Sequence, residues 1–199
     1  MFFIKKNICP YCESEISSKF ACGFCCKILK NLINRYNTKT ENCFYITAPF
    51  IYKSIIRDAI LKFKFEKRKE FCKSFCHFMA LCDVSFFDVM VCVPTYDETF
   101  NSSKELCYLL SKKIKLKFLK DAVFKIKKTK HQHDCSLKER QTNLRKAFKA
   151  DKKKISGKTV LICDDIITTK STVKEMALCL KEAGAKKVGA ISFAISENL

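Results

Sequence analysis

Two sets of residues in this sequence have the types and spacing that chemistry needs. The first is the run Val160-Leu161-Ile162-Cys163-Asp164-Asp165-Ile166-Ile167-Thr168-Thr169-Lys170-Ser171-Thr172. An apolar strand there ends in two adjacent carboxylates, and a hydroxyl-rich turn follows and opens a helix. Such a turn gathers backbone N–H groups, the positive helix end and several hydroxyls around one anion. Carboxylates just before it can accept hydrogen bonds from sugar hydroxyls. A phosphate cradle beside a diol acceptor describes a site for a ribose 5-phosphate, at the carboxyl end of a strand where open α/β sheets bind ligands. The plainer reading of the same residues is an Asp-Asp turn with a Thr or Ser helix cap.

The second set is Cys9-Pro10-Tyr11-Cys12 and Cys22-Gly23-Phe24-Cys25, two CxxC knuckles with nine residues between them. Each knuckle aims two thiolates at one centre, and the pair completes a tetrahedral zinc site. Gly23 is expected to support the tight turn. Cys26 adjoins the second knuckle and could replace Cys25, and iron–sulfur ligation is the alternative chemistry. With all four positions filled by protein, no open coordination site is left, so the expected role is structural or an interaction surface. Cys72, Cys76, His77 and Cys82 also invite a metal, but Cys72 and Cys76 share a helical face with Phe71, Phe75 and Phe78. Free cysteine packs there as a small hydrophobe.

The elements that must position these residues are legible from periodicity. Residues 1–40 hold the knuckles and run into the polar stretch Asn34 to Asn42, a plausible hinge, so a small module over 1–40 is expected to precede an α/β domain over 41–199. The pattern predicts a strand at Phe44–Ala48 and helices at Tyr52–Phe63 and Glu66–Leu81. A strand at Phe87–Val93, a helix at Ser102–Ile114 and a strand at Asp121–Ile126 follow. A polar loop at Lys127–Asp134 leads to a helix near Leu137–Lys146. The strand Thr159–Cys163, the helix Ser171–Ala183 ended by Gly184, and the strand Lys187–Ile195 complete the chain. Strand and helix in alternation mean βαβ units around a mainly parallel sheet.

Composition bounds the partners. Lys and Arg number 39 against 20 acidic residues, a formal charge of +19. That excess steers polyanions and phosphorylated ligands toward the chain, whether as a nucleic-acid footprint or as a solvated basic surface. Eighteen phenylalanines could offer a stacking surface for single strands, yet with no tryptophan the interior must draw its bulk from them, which favours core. Fourteen cysteines without an apolar leader (Lys5-Lys6 follows Met1-Phe2-Phe3-Ile4) point to reduced thiols and a cytoplasmic location. No apolar run approaches the ~20 residues of a membrane span.

The segment from Asp164 to Thr172 resembles the signature of phosphoribosyltransferases that use phosphoribosyl pyrophosphate (PRPP), two acidic residues, two spacers, then Thr-Thr-Gly-x-Thr. The resemblance implies that Asp164 and Asp165 hold the ribose hydroxyls and carry the catalytic role. It implies that Thr168, Thr169, Ser171 and Thr172 hold the 5-phosphate. Lys170 stands where that signature has glycine, a position of close backbone approach or positive φ. It is counted with the phosphate-binding residues, its ammonium expected either to bind the phosphate or to crowd it. Thr129-Lys130-His131-Gln132 and Arg140-Gln141-Thr142-Asn143-Leu144-Arg145-Lys146-Ala147-Phe148 are similar to the ComF pattern, as are Tyr52, Arg57 and Leu61-Lys62-Phe63 and the position of the knuckles. By that similarity the lysines flanking His131 and His133 correspond to a loop that covers PRPP. Where that family reads Arg-Gly-Phe-Asn, this chain has Glu98-Thr99-Phe100-Asn101, which takes positive charge out of the expected pyrophosphate loop.

The ComF resemblance implies a type I phosphoribosyltransferase-like α/β fold with an N-terminal four-cysteine zinc module. It implies PRPP as ligand, with magnesium accompanying it, and a place in DNA uptake and natural transformation. One expectation is an enzyme that displaces pyrophosphate at C1 through an oxocarbenium transition state, with positioning and charge stabilisation as the protein's task. The alternative is a non-catalytic protein that keeps the fold and binds single-stranded DNA or a competence helicase.

Overall fold

The computed structural model describes residues 8–16, 20–95, 101–127 and 146–196. Helix α1 (Gly23–Leu32) leads into strands β1 (Tyr36–Thr38), β2 (Tyr45–Ala48) and β3 (Phe50–Ile51). Helices α2 (Ser54–Phe65) and α3 (Phe71–Met79) precede β4 (Val89–Cys92), α4 (Ser102–Ile114) and β5 (Lys117–Phe118). The short strands β6 (Val123–Lys125) and β7 (Phe148–Ala150) are followed by the single turn α5 (Lys152–Ile155), β8 (Thr159–Ile167), α6 (Ser171–Glu182) and β9 (Lys187–Ile195).

The main sheet has the order β1-β2-β9-β8-β4-β5, with β3 also paired to β9. Only the β1–β2 pairing in it is antiparallel, so the expected mainly parallel sheet is present. Apolar strands buried on both faces suit such a sheet, because helices cover both sides. Side chains alternate between the two layers along β8. Leu161 and Cys163 enter one core with Phe63, Phe75, Leu106 and Phe193, beneath α1 to α4. Val160 and Ile162 enter the other with Val173, Met176 and Leu180 of α6.

The phenylalanines go mostly to the first core. Phe75 stacks on Phe193 at 3.8 Å between ring centroids, and Phe50 meets both Phe78 and Phe193 edge-on. Cys72, Cys76 and Cys82 are buried among them, and His77 stacks on Phe20. These thiols therefore pack as small hydrophobes in the first core.

Several boundaries differ from the sequence reading, each for a local reason. The stretch read as a hinge contains β1, which pairs with β2 on the sheet edge although it lies before residue 40. The helix expected from Glu66 starts at Phe71, because Lys67 adopts a left-handed conformation with φ 55° after the end of α2. The strand expected at Asp121–Ile126 is only Val123–Lys125, and it pairs antiparallel with β7 away from the main sheet. The most consequential difference is in β8, which runs on to Ile167. β-branched Ile166 and Ile167 continue the pairing with Ala194 and Ile195 of β9, so both carboxylates sit inside the strand rather than after it. Helix α6 ends as the sequence suggested. Gly184 takes φ 90°, its N–H bonds the Lys181 carbonyl, and the Ala185 N–H bonds Leu180, a Schellman closure. The loop at 127–134 and the helix near Leu137–Lys146 lie almost wholly outside the described residues.

Gly189 marks a close approach in β9. A Cβ there would lie 2.2 Å from the Phe87 ring and 2.9 Å from the Tyr45 carbonyl oxygen, so the strand needs glycine to admit that ring. No described helix is long and apolar enough to cross a membrane.

Candidate functional site

The turn between β8 and α6 holds Thr168, Thr169 and Lys170, all half-buried, and delivers Ser171 and Thr172 into the first turn of a twelve-residue helix. Lys170 is the helix N-cap residue in the left-handed region, φ 57° and ψ −1°. This is the backbone that a glycine signature position supplies, and the lysine adopts it at a cost of about 1–2 kcal/mol. Its ammonium does not lie across the turn. It reaches β1, where Nζ donates to Thr38 Oγ1 at 3.1 Å. Thr169 Oγ1 and Ser171 Oγ are 3.0 Å apart, so two cradle hydroxyls already converge. A cavity of about 300 Å³ opens beside the turn, between Lys39–Asn42 and the lysines 170 and 174.

The carboxylates have unequal surroundings. Alternation along β8 carries Asp165 into the layer of α2 to α4, and it is 0% exposed. There Lys64 Nζ of α2 meets Oδ1 at 2.7 Å, and Ser102 Oγ of α4 donates to Oδ2 at 2.5 Å. Burial works against charge on Lys64, but the facing carboxylates of Asp165 and Asp164 outweigh it and raise its pKa. Asp164 is half-buried, and its Oδ1 accepts from Ser103 Oγ at 2.7 Å and from the Asp165 N–H at 2.9 Å. Burial first, then the neighbouring Asp165 charge, push Asp164 up to about 7 against the pull of Lys64.

Thus the sequence-predicted residues follow one another along the chain, with two carboxylates inside β8 and a hydroxyl turn at the head of α6. The pair itself is not equally open, since only Asp164 reaches the surface. A divalent cation does not fit on Asp165 in this arrangement, because it would have to displace both the Lys64 ammonium and the Ser102 hydroxyl.

Sequence reasoning missed Lys64, Ser102 and Ser103. For Lys64 a signal exists. Ile56, Ile60 and Lys64 recur every four residues on the buried stripe of α2, so the lysine continues an apolar face. The two serines open α4 directly after the N-cap Asn101, whose side chain accepts from the Lys104 N–H and donates to the Val93 carbonyl. Helix α4 is thereby aimed with its N-terminal end at the carboxylates. Glu98, Gln132, Arg140, Asn143 and the histidines 131 and 133 lie outside the described residues.

The four predicted knuckle cysteines also meet. The sulfurs of Cys9, Cys12, Cys22 and Cys25 all lie within 4.8 Å of one another, and Cys12 and Cys22 are 3.6 Å apart. Zinc–sulfur bonds of about 2.3 Å in a tetrahedron require sulfur separations near 3.8 Å, so the set fits such an ion. Cys26 is turned away, its thiol directed at the Ala21 carbonyl, which leaves Cys25 as the fourth ligand. Gly23 is the first residue of α1, without a positive φ, and a Cβ there would meet nothing within 4 Å, so the expected tight-turn role is not required. The sharp turn falls instead on Glu13, at φ 62°. Cys22 caps α1 and its sulfur accepts from the Cys25 N–H, which lowers its pKa, and hydrogen bonds from Ser14 lower Cys12 to about 6. Both effects favour the thiolate that a metal binds. The module is seated on α3: Tyr11 and Ser74 share a 2.7 Å hydrogen bond, Tyr11 packs edge-on against Phe71, and Arg68 pairs with Glu13 at 2.9 Å.

A phosphoribosyl transferase domain matches residues 104–196, from α4 through β9. The chain is 27% identical over 197 residues to the DNA utilization protein YhgH of Escherichia coli strain K12, covering 92% of this chain and 82% of that protein. It is 24% identical over 206 residues to Competence protein F of Haemophilus influenzae, covering 92% and 88%. Among solved structures, glutamine phosphoribosylpyrophosphate (PRPP) amidotransferase from B. subtilis is similar with a TM-score of 0.43 at 19% identity. That match covers 60% of this chain and 25% of that longer one.

Proposed function

We propose that this chain, which belongs to the ComF family of phosphoribosyltransferase-fold proteins, binds the ribose 5-phosphate portion of a phosphoribosyl ligand, PRPP included, and acts in DNA uptake. The observation that carries the reading is the glycine-like φ of Lys170 at the head of α6, beside the carboxylates of β8. A lysine held in a left-handed conformation means that the loop shape is kept although its glycine is gone. In this arrangement Thr168, Thr169, Ser171, Thr172 and the loop amides surround the 5-phosphate, while the half-exposed Asp164 accepts from the ribose hydroxyls. Asp165 orients the site through Lys64 and Ser102. Any magnesium accompanying PRPP would be held by the ligand's own pyrophosphate, since Asp165 is occupied by Lys64 and Ser102. In a transfer reaction Asp164 is the carboxylate placed nearest the developing positive charge of the sugar.

The four cysteines hold zinc and fix residues 8–16 and α1 on α3, and the ligand-binding domain runs from β1, before residue 41, through β9. Relatives named for DNA utilization and competence, together with the +19 charge, support a second reading in which single-stranded DNA is also a partner. Calorimetry with PRPP, ribose 5-phosphate and a single-stranded oligonucleotide separates the two. Heat with the phosphorylated sugars supports the ligand reading, and heat with the oligonucleotide alone supports the second.

A further inference from the structure

The charge on Asp165 has a resident partner that a phosphoribosyl site does not need for folding alone. Lys64 reaches it from the last turn of α2, across the core layer, with its side chain 29% exposed while Asp165 is 0% exposed. The side chain as a whole is therefore partly open to solvent while its carboxylate partner is not. It carries three donors, and the Asp165 contact uses one. The neighbouring acceptor is Asp164, whose Oδ1 is taken by Ser103 and the Asp165 amide. No donor among the described residues meets its Oδ2.

We propose that Lys64 is the built-in counter-cation of the carboxylate pair, so that the site takes a ribose 5-phosphate without a divalent metal ion. The inference rests on the ligand reading above and deepens it. Two adjacent carboxylates repel each other and would ordinarily recruit a hard cation such as Mg²⁺, which prefers carboxylate and water oxygens. Here an ammonium stands 2.7 Å from Oδ1 as an ion pair, outside hydrogen-bond geometry, and a hydroxyl donates to Oδ2 of the buried member. The ribose diol then meets a mixed surface, an acceptor from Asp164 and a donor from Lys64, where a metal-dependent site would present two acceptors and an ion. Lys64 is therefore a specificity residue: it selects the sugar hydroxyls by direct hydrogen bonding and keeps free Mg²⁺ off the pair.

The test is isothermal titration of the whole chain with ribose 5-phosphate, in EDTA and in millimolar MgCl₂, and separately with MgCl₂ alone. The wild type is expected to bind the sugar phosphate equally in both buffers and to show no heat with MgCl₂. Lys64→Met is expected to lose roughly tenfold in affinity in EDTA, to recover it with Mg²⁺, and to bind Mg²⁺ by itself, whereas Lys64→Arg behaves as the wild type. Wild-type binding that collapses in EDTA, or Mg²⁺ binding to the wild-type pair, overturns the proposal. So does a Lys64→Met protein whose metal dependence is unchanged. If ribose 5-phosphate binds none of the proteins, the ligand reading fails, and the MgCl₂ arm still decides the role of Lys64. If Lys64→Met does not fold, the wild-type arms decide it alone.

Discussion

In β8, Asp164 is a carboxylate whose proton the fold holds more tightly than the unfolded chain does. Its pKa stands near 7 in the folded chain against 3.8 unperturbed, because burial and Asp165 disfavour its charge. The folded state therefore holds a proton that the unfolded state releases, and the associated stability is full below pH 4 and lost as pH rises toward 7. Denaturant titrations from pH 4 to 8 should show this fall, and Asp164→Asn should flatten it. An unchanged slope in the variant would contradict the assignment. Lys170 makes a second prediction. Its backbone is already glycine-like and its ammonium is engaged by Thr38, so Lys170→Gly should raise stability by about 0.5–1 kcal/mol and leave ligand affinity within about twofold. A tenfold loss of affinity would show instead that the ammonium holds the phosphate. At this scale the cradle residues were legible from spacing, since hydroxyls and carboxylates adjacent in sequence must be adjacent in space. The inequality of Asp164 and Asp165 was not, because it depends on which layer each side chain enters once β8 extends to Ile167.

The elements that carry these residues are joined by few polar anchors. Helix α4 is tied to β8 by Ser102 and Ser103, α2 by Lys64, and the cysteine module to α3 by Tyr11, Phe20 and Arg68. Strands and helices rich in β-branched residues or with a clean apolar stripe, such as β9 and α4, were readable directly. β1 was not, because Tyr36-Asn37-Thr38 has no alternation of its own and becomes a strand only by pairing with β2. The meeting of four cysteines was legible in the sequence, except that Cys25 and Cys26 could be told apart only once α1 fixed their directions and that the sharp turn falls on Glu13 rather than Gly23. Cys12→Ser should release about one zinc per chain and loosen α1, while the sheet and α6 keep their amide protection, as metal analysis and hydrogen exchange would show. Protein that is prepared reduced and carries no metal would count against the module's assignment.

At the scale of the whole molecule, the excess of 39 basic over 20 acidic residues sets the long-range field. It draws phosphates toward the chain without selecting among them, so any binding of single-stranded DNA should weaken steeply with salt and depend little on sequence. Filter binding across salt concentrations checks this, and salt-insensitive affinity would rule out an electrostatic footprint. In the function proposed above, selection belongs to the carboxylates of β8 and the turn before α6, with carboxylate and cradle acting as one. The direct measurement is calorimetric titration of ribose 5-phosphate and of inorganic phosphate into the wild type and Asp164→Asn. The variant is expected to bind the sugar phosphate roughly tenfold more weakly, as for a lost charge-assisted hydrogen bond, while inorganic phosphate binds both equally. Equal affinity of the two proteins for ribose 5-phosphate, or no binding to either, would contradict it.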